Sequence, residues 1–276
     1  MGNGNNSDSE PKEDIMHAFP YIIELLSPKR TPADKVDSLL NRFAERFQRI
    51  MDAGCGVSIP DNPMGQPRLG ALESIQLRSL PIDPEKVIMN LNTFHSKTEL
   101  DGLLSRAADA GLKHLLVVRG DGGPLLSKLD PKDIGGEKRV ATSIDLIGYI
   151  HRAYPGRFTT AAAFNPYKPL RIELERMKQK IAAGAAYAVT QPIIGRDAAV
   201  DDLLALNIPV VVEAWMSTNI ELFNKSVGRK SEEGTADYDP VANLNSLHTH
   251  YPESCVYLSM LSFKQPWGDT LPRMSL

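Results

Sequence analysis

The sequence has little of what marks secreted, membrane-spanning or nucleic-acid-binding proteins. Its two cysteines, Cys55 and Cys255, are too few for a disulfide framework or a four-cysteine metal site, and the apolar runs beside them predict buried free thiols. No run approaches the roughly 20 apolar residues that a membrane span needs. The formal net charge of −3 disfavours a broad nucleic-acid-binding face, which needs a basic excess. The 42% apolar content is typical of a soluble globular protein.

The first 14 residues are polar and lack the apolar core of a signal peptide. We therefore expect residues 1–14 to form a disordered tail, residues 15–276 to form one domain, and the location to be cytoplasmic.

Short apolar runs alternate with longer amphipathic segments along the chain. Eight runs predict strands: residues 21–26, 56–59, 87–93, 114–119, 159–164, 187–193, 209–215 and 256–261. Most are continuously apolar, which is typical of parallel strands covered on both faces.

The connections between these runs carry helix-ending signals. Gly54, Gly111 and Gly184 each precede a predicted strand after a helical pattern, as glycines just past a helix do. Ser96 and Glu99 have the spacing of a capping box. Eight strand–helix units fit a closed (β/α)8 barrel or an open doubly wound sheet. We favour the barrel because eight is its strand number and because no Gly-x-Gly-x-x-Gly follows the first strand.

Catalytic groups of a barrel lie where strands end, so polar residues at those positions are the first candidates. Glu24 lies inside an apolar run, where burial would raise its pKa and make it a general acid, unless it faces solvent or pairs with Lys29 or Arg30. Gln191 ends the sixth run and offers both donors and an acceptor to a heterocycle edge, or is a satisfied core amide.

The fourth run ends in Arg119, Gly120 and Asp121. Glycine lets such a loop approach a planar ring or a phosphate closely, although the segment would also suit an ordinary polar turn. No phosphate-binding P-loop motif is present. His248 and His250 stand at a helix end, and we expect no metal site there or elsewhere.

Several motifs, in order along the chain, are similar to those of one family. Residues 115–121 resemble the Arg-Gly-Asp strand end of methylenetetrahydrofolate reductases. Residues 178–185 with 189–192 resemble their Lys-x-x-x-Gly-Ala-x-x-x-x-Thr-Gln segment, and residues 23–30 resemble their Phe-Glu-Phe-Phe-Pro-Pro-Arg opening. The resemblance runs from about residue 20 to residue 215.

This resemblance implies a TIM barrel that binds FAD and interconverts 5,10-methylenetetrahydrofolate and 5-methyltetrahydrofolate, with NAD(P)H or another reductant as donor. It also implies a homo-oligomer, and a donor other than NADH could act through an electron-transfer partner protein. Carried over by motif, Glu24 is the general acid, and Asp121 stabilises positive charge on the folate beside the flavin. Pterin contacts are implied for Gln191, Asn90 and Asp121. FAD contacts are implied for Arg119, Gly120, Asp121, Phe164, Glu173 and Lys180.

The chain departs from the family pattern at several positions. Residues 60–62 are Pro-Asp-Asn in place of Thr-Tyr-Gly, Asn90 replaces a histidine, and the loop at residues 164–169 is about four residues shorter. Three of these changes fall on the expected flavin site, which leaves two flavin-free alternatives open. One is a folate-binding barrel that serves a partner enzyme, and the other is a methyltransferase-type or lyase-type barrel. The charged stretch at residues 225–239 fits a mobile lid, a docking loop or a solvated loop.

Overall fold

Eight parallel strands, in the order β1 to β8, close on themselves so that β8 pairs with β1. This computed structural model describes residues 19–30, 33–229, 238–268 and 270–274, with the side chains of residues 33 and 34 left undescribed. The predicted (β/α)8 barrel is confirmed. The disorder predicted for residues 1–14 lies outside the described residues.

All eight predicted strands are present, most with shorter bounds. They are β1 (Ile22–Glu24), β2 (Gly56–Ile59), β3 (Val87–Leu91), β4 (His114–Val117), β5 (Thr159–Phe164), β6 (Ala185–Thr190), β7 (Val210–Trp215) and β8 (Val256–Ser259). The strand β6 begins two residues before its prediction, since Ala185 already pairs with Thr160 ahead of a register shift between Thr160 and Ala161. Several strands end early because their last predicted residues turn into the loops that form the mouth of the barrel.

Helices cover the outside of the barrel. They are α1 (Ala33–Asp52), α2 (Ala71–Gln76), α3 (Lys97–Asp109), α4 (Ser143–Ala153), α5 (Leu170–Ala182), α6 (Ala198–Leu204), α7 (Ile220–Val227) and α8 (Pro240–His250). Both α7 and α8 lie between β7 and β8, so Lys225 is helical rather than part of an exposed loop. Residues 230–237 of that stretch lie outside the described residues.

The described residues form three separate apolar clusters, and two of them build the barrel itself. The larger one packs the outer faces of the strands against the helices. The smaller one fills the inside of the barrel, and its buried members are Phe19, Ile22, Ile88, Leu116, Ala161, Tyr187, Val189, Val211, Cys255 and Tyr257. Because side chains alternate along a strand, residues two positions after members of this inner cluster point into the upper end of the barrel. Glu24 follows Ile22 in this way, and Glu213 follows Val211.

The three predicted glycine joints all adopt positive φ, with values of 67° at Gly54, 78° at Gly111 and 118° at Gly184. A side chain at Gly54 would meet open space, whereas a Cβ at Gly184 would lie 2.4 Å from the His151 ring. That ring is held by a 2.9 Å hydrogen bond to the Thr160 hydroxyl.

These two joints predict unequal costs of substitution. Gly54→Ala pays only the left-handed backbone penalty, and we expect it to lower the free energy of unfolding by about 1 kcal/mol. Gly184→Ala must also displace His151, which raises the loss to about 3 kcal/mol. Urea denaturation followed by circular dichroism measures both. Equal losses would show that the His151 contact has no energetic weight.

Candidate functional site

A cavity of about 1390 Å³ opens at the carboxyl-terminal mouth of the barrel, where active sites of this fold lie. Every strand or the residues after it contribute to its wall: Glu24, Pro60, Asn90, Arg119, Asn165, Gln191, Glu213 and Tyr257. Its volume exceeds the roughly 300–1,000 Å³ of a pocket for one small ligand. The cavity therefore has room for two ligands side by side.

Glu24 is half-buried on the floor of this cavity. Burial raises the pKa of its carboxyl to about 7, although the Tyr257 hydroxyl and the Arg68 charge oppose the rise. The Tyr257 hydroxyl donates to Glu24 Oε2 across 3.4 Å. Arg30 pairs with Glu73 instead, at 3.0 Å. A carboxyl that is half-protonated near neutral pH has the property that a general acid needs.

Glu213 of β7 is a second carboxyl in the same floor and was not among the residues predicted from the sequence. Its pKa is raised well above the ordinary value by burial and by the charge of Glu24, while its contact with the Ser259 hydroxyl acts in the opposite direction. In the sheet Glu213 lies beside Tyr257. The signal that singled out Glu24, a carboxylate inside an apolar strand, was also present at residue 213.

Polar side chains from neighbouring strands complete the floor. Asn90 lines the cavity, and its Oδ1 accepts a 2.8 Å hydrogen bond from the Ser58 hydroxyl. Gln191 follows the end of β6 and also lines the cavity, with its backbone N–H bonded to the Phe164 carbonyl at 2.8 Å. The structure thus brings Glu24, Asn90 and Gln191 to one cavity.

Glycines pack the loop after β4 tightly against the loop after β2. Gly120 and Gly122 have positive φ, and a Cβ on Gly122 would lie 2.6 Å from the Phe94 ring. A Cβ on Gly65 would clash with the Gly122 carbonyl oxygen. The exposed carboxylate of Asp121 accepts a 2.7 Å hydrogen bond from the Met64 N–H. Asp121 therefore joins the two loops at the edge of the cavity.

Asp61, in the segment that departs from the family pattern, interacts with the protein itself. Its Oδ2 lies 2.6 Å from His95 Nε2 and accepts from the Asn92 N–H at 3.2 Å. Burial lowers the pKa of His95, but the hydrogen bond and charge of Asp61 outweigh burial and raise it overall. This buried pair fixes the wall of the cavity next to Pro60.

Residues implied as cofactor ligands on β5 and α5 are largely buried. Lys180 Nζ donates to the Ala163 carbonyl at 2.6 Å and lies 3.8 Å from Glu173 Oε1. Burial lowers the pKa of Lys180, although Glu173 opposes this effect. The Phe164 ring is fully buried. All of these residues line the cavity. Arg119 is exposed at its edge.

The rim of the cavity is both basic and apolar. Its cations are Lys29, Arg68, Arg119, Lys138, Lys168, Arg171, Arg176 and Lys225. Its exposed apolar side chains are Leu26, Met64, Val140, Ile172 and Met260, which are 39%, 63%, 57%, 45% and 39% exposed. This combination favours a ligand that has both anionic groups and flat apolar rings.

A flavin nucleotide fits these residues. The cations contributed by the β4–α4 and β5–α5 segments suit a diphosphate, and the volume leaves room for a second ring beside the flavin. Among the described residues, no group of three His, Cys, Asp or Glu side chains could hold a metal ion. No helix in the described part of the chain is long and apolar enough to span a membrane.

A closed (β/α)8 barrel with titratable carboxyls on the floor of a mouth cavity defines a site of the enzyme type. The model of the methylenetetrahydrofolate reductase family matches residues 15–202, which is more than half of the chain. The chain belongs to this family, whose members are oxidoreductases of folate-bound one-carbon units.

Solved structures with a similar shape have low sequence identity to the chain. The 7,8-dihydropteroate synthase of Vibrio fischeri is 10% identical, covers 93% of this chain and 91% of its own, and has a TM-score of 0.48. The dihydropteroate synthase of Yersinia pestis is 12% identical, with coverages of 95% and 92% and a TM-score of 0.48. A putative phosphonomutase of Burkholderia cenocepacia is 14% identical, with coverages of 87% and 86% and a TM-score of 0.44.

The Asp61–His95 pair predicts a measurable change in protonation. In Asp61→Asn the imidazole stays buried but loses its anionic partner, so we expect the His95 pKa to fall below the ordinary value of about 6.5. Long-range ¹H–¹⁵N NMR titration of the histidines measures the shift, and His95→Asn assigns the signal. Asp121→Asn removes a nearby carboxylate that does not bond His95, so it should leave the value unchanged. An unaltered pKa in Asp61→Asn would contradict the pairing.

Proposed function

We propose that the chain interconverts 5,10-methylenetetrahydrofolate and 5-methyltetrahydrofolate with bound FAD. The observation that carries this proposal is the half-buried Glu24 carboxyl, with a pKa raised to about 7, on the floor of a cavity large enough for two ligands. Family membership supports the same reaction class.

In the reducing direction Glu24 donates its proton to N10 of the folate. The bond between N10 and the bridging carbon breaks, its electron pair goes to N10, and the carbon remains as an iminium on N5. The Asp121 carboxylate stabilises the positive charge that develops on this iminium. FAD bound here and reduced by NAD(P)H or another donor, including an electron-transfer partner protein, would supply the hydride that completes the methyl group.

The remaining residues bind and orient. Gln191 and Asn90 offer amide groups to the pterin ring. Arg119, Gly120, Glu173 and Lys180 are proposed at the flavin nucleotide, with Phe164 supporting them from its buried position. Arg68 lines the cavity and offers a cation to the carboxylate tail of the folate. The homo-oligomer, the cytoplasmic location and the single domain over residues 15–276 stay predictions.

Absorbance of the purified protein tests this proposal. We expect oxidised-flavin bands that bleach when 5-methyltetrahydrofolate is added without oxygen. In this oxidising direction Glu24 takes the proton from N10 as the bridge closes. Glu24→Gln should keep the flavin bound and slow bleaching on the order of 100-fold, because it removes the proton-transfer group.

The pH dependence supplies a second measurement. Methylenetetrahydrofolate reduction should weaken as pH rises through about 7, where Glu24 loses the proton it donates. Glu253→Gln alters an exposed carboxylate that does not line the cavity and is the control for both experiments. A colourless protein that FAD cannot reconstitute would favour the flavin-free alternatives, a folate-binding partner protein or a methyltransferase-type enzyme.

A further inference from the structure

The carboxyl of Glu213 has no role in the mechanism above, yet Glu213 lines the same cavity as Glu24. Its strand holds it firmly, because the Glu213 N–H donates to the Thr190 hydroxyl at 3.0 Å and the Glu213 carbonyl accepts from the Ile193 N–H at 3.0 Å. Its side chain is half-buried, and it lines the cavity. A side chain on a strand that is held in this way has a fixed position relative to a bound ligand.

The surroundings of Glu213 disfavour its ionised form. Among the described residues no basic side chain forms an ion pair with it. The groups that face it are the carboxyl of Glu24 from β1, the hydroxyls of Tyr257 and Ser259 from β8, and Tyr167 from the loop before α5. The Arg68 charge lowers the pKa of Glu24, so Glu24 is the first of the two carboxyls to lose its proton. Glu213 is then the carboxyl of the pair that holds its proton more strongly.

We propose that Glu213 binds the pterin as a protonated carboxyl, donating one hydrogen bond to the ring edge and accepting another. A neutral carboxyl offers a donor and an acceptor side by side, as an amide does. The pyrimidinone ring of a pterin presents the complementary pair, an N–H next to a carbonyl oxygen. This inference rests on the proposed function, because the ligand is the pterin of that substrate.

Gln191 supports this assignment from the neighbouring strand. The pairing of β6 with β7 sets Val189 beside Val211, so Gln191 and Glu213 follow on the same inward face. One neutral amide and one neutral acid then border the ring, while Glu24 remains the group that exchanges a proton. In this arrangement Glu213 recognises the pterin ring, and Glu24 carries out the proton transfer.

The test is a binding measurement that needs no turnover. Calorimetric titration uses 5-formyltetrahydrofolate, which has the same pyrimidinone ring and no bridge to open. At neutral pH we expect Glu213→Gln to bind like the wild type, because glutamine keeps both the donor and the acceptor. Glu213→Ala should bind about tenfold more weakly, since two neutral hydrogen bonds are lost. Glu253→Gln is the control and should not change the affinity, because Glu253 does not line the cavity.

A second comparison, of variants across pH, tests whether Glu213 is protonated when it binds the folate. Burial and the Glu24 charge both raise the Glu213 pKa, and Glu24→Gln removes the second of these causes, so Glu213 should then ionise and lose its donor at lower pH than in the wild type. As the pH rises, the affinity of Glu24→Gln should therefore fall about tenfold and should do so at lower pH than that of the wild type, while the Glu24→Gln/Glu213→Gln double variant stays level. Titration of the ligand affects both proteins equally and cancels.

The outcomes separate the two proposals. Folate binding that is as tight in Glu213→Ala as in the wild type would overturn the inference and leave the proposed function standing. Weakening of Glu213→Gln by tenfold or more would also overturn it, because an ionised Glu213 would then be the binding form. Parallel pH profiles of Glu24→Gln and the double variant would do the same. A wild type that binds no folate would overturn the proposed function and this inference with it.

Discussion

The site depends on the apolar side chains that fill the lower half of the barrel. They exclude water from beneath the floor, so a carboxyl one layer above them is solvated from the cavity side alone. Glu24 and Glu213 lie at that boundary, and the same burial raises both of their pKa values. The raised pKa values of the two carboxyls therefore depend on the closed barrel and on its apolar filling. A polar residue in the layer below would let water reach both carboxyls.

The mouth of the barrel is organised by contacts between loops. Gly65 and Gly122 allow the segments after β2 and β4 to touch, and the Asp121 carboxylate bonds the Met64 N–H across the same contact. In the same region the contact between Asp61 and His95 joins the segment after β2 to the segment after β3. Positions that depart from the family pattern thus have partners inside the protein, and the cavity keeps a defined wall.

The sequence predicted the fold well because its signals were local. Continuous apolar runs and glycine joints are read within a few residues, and all eight strands and all three joints were found. Glu24, Asn90 and Gln191, which were predicted from strand positions and from the family resemblance, lie in one cavity, and their roles stay predictions. Glu213 carried the same signal as Glu24, a carboxylate inside an apolar run, but Glu213 and Tyr257 were not singled out because the rest of each run predicted core. The Asp61–His95 pair and the contact between glycines were out of reach, because each joins loops whose approach depends on barrel closure.

The apolar side chains that ring the cavity have a consequence for the protein before it binds anything. Leu26, Met64, Val140, Ile172 and Met260 account for most of the large exposed hydrophobic side chains in the described part of the chain, and all lie at one mouth. Without ligand, the barrel therefore exposes an apolar surface on which other proteins can aggregate. A bound ligand covers part of this surface. Ligand in excess shifts the folding equilibrium toward the native state by mass action. The supply of ligand thereby becomes a determinant of how much of the newly made protein avoids aggregation.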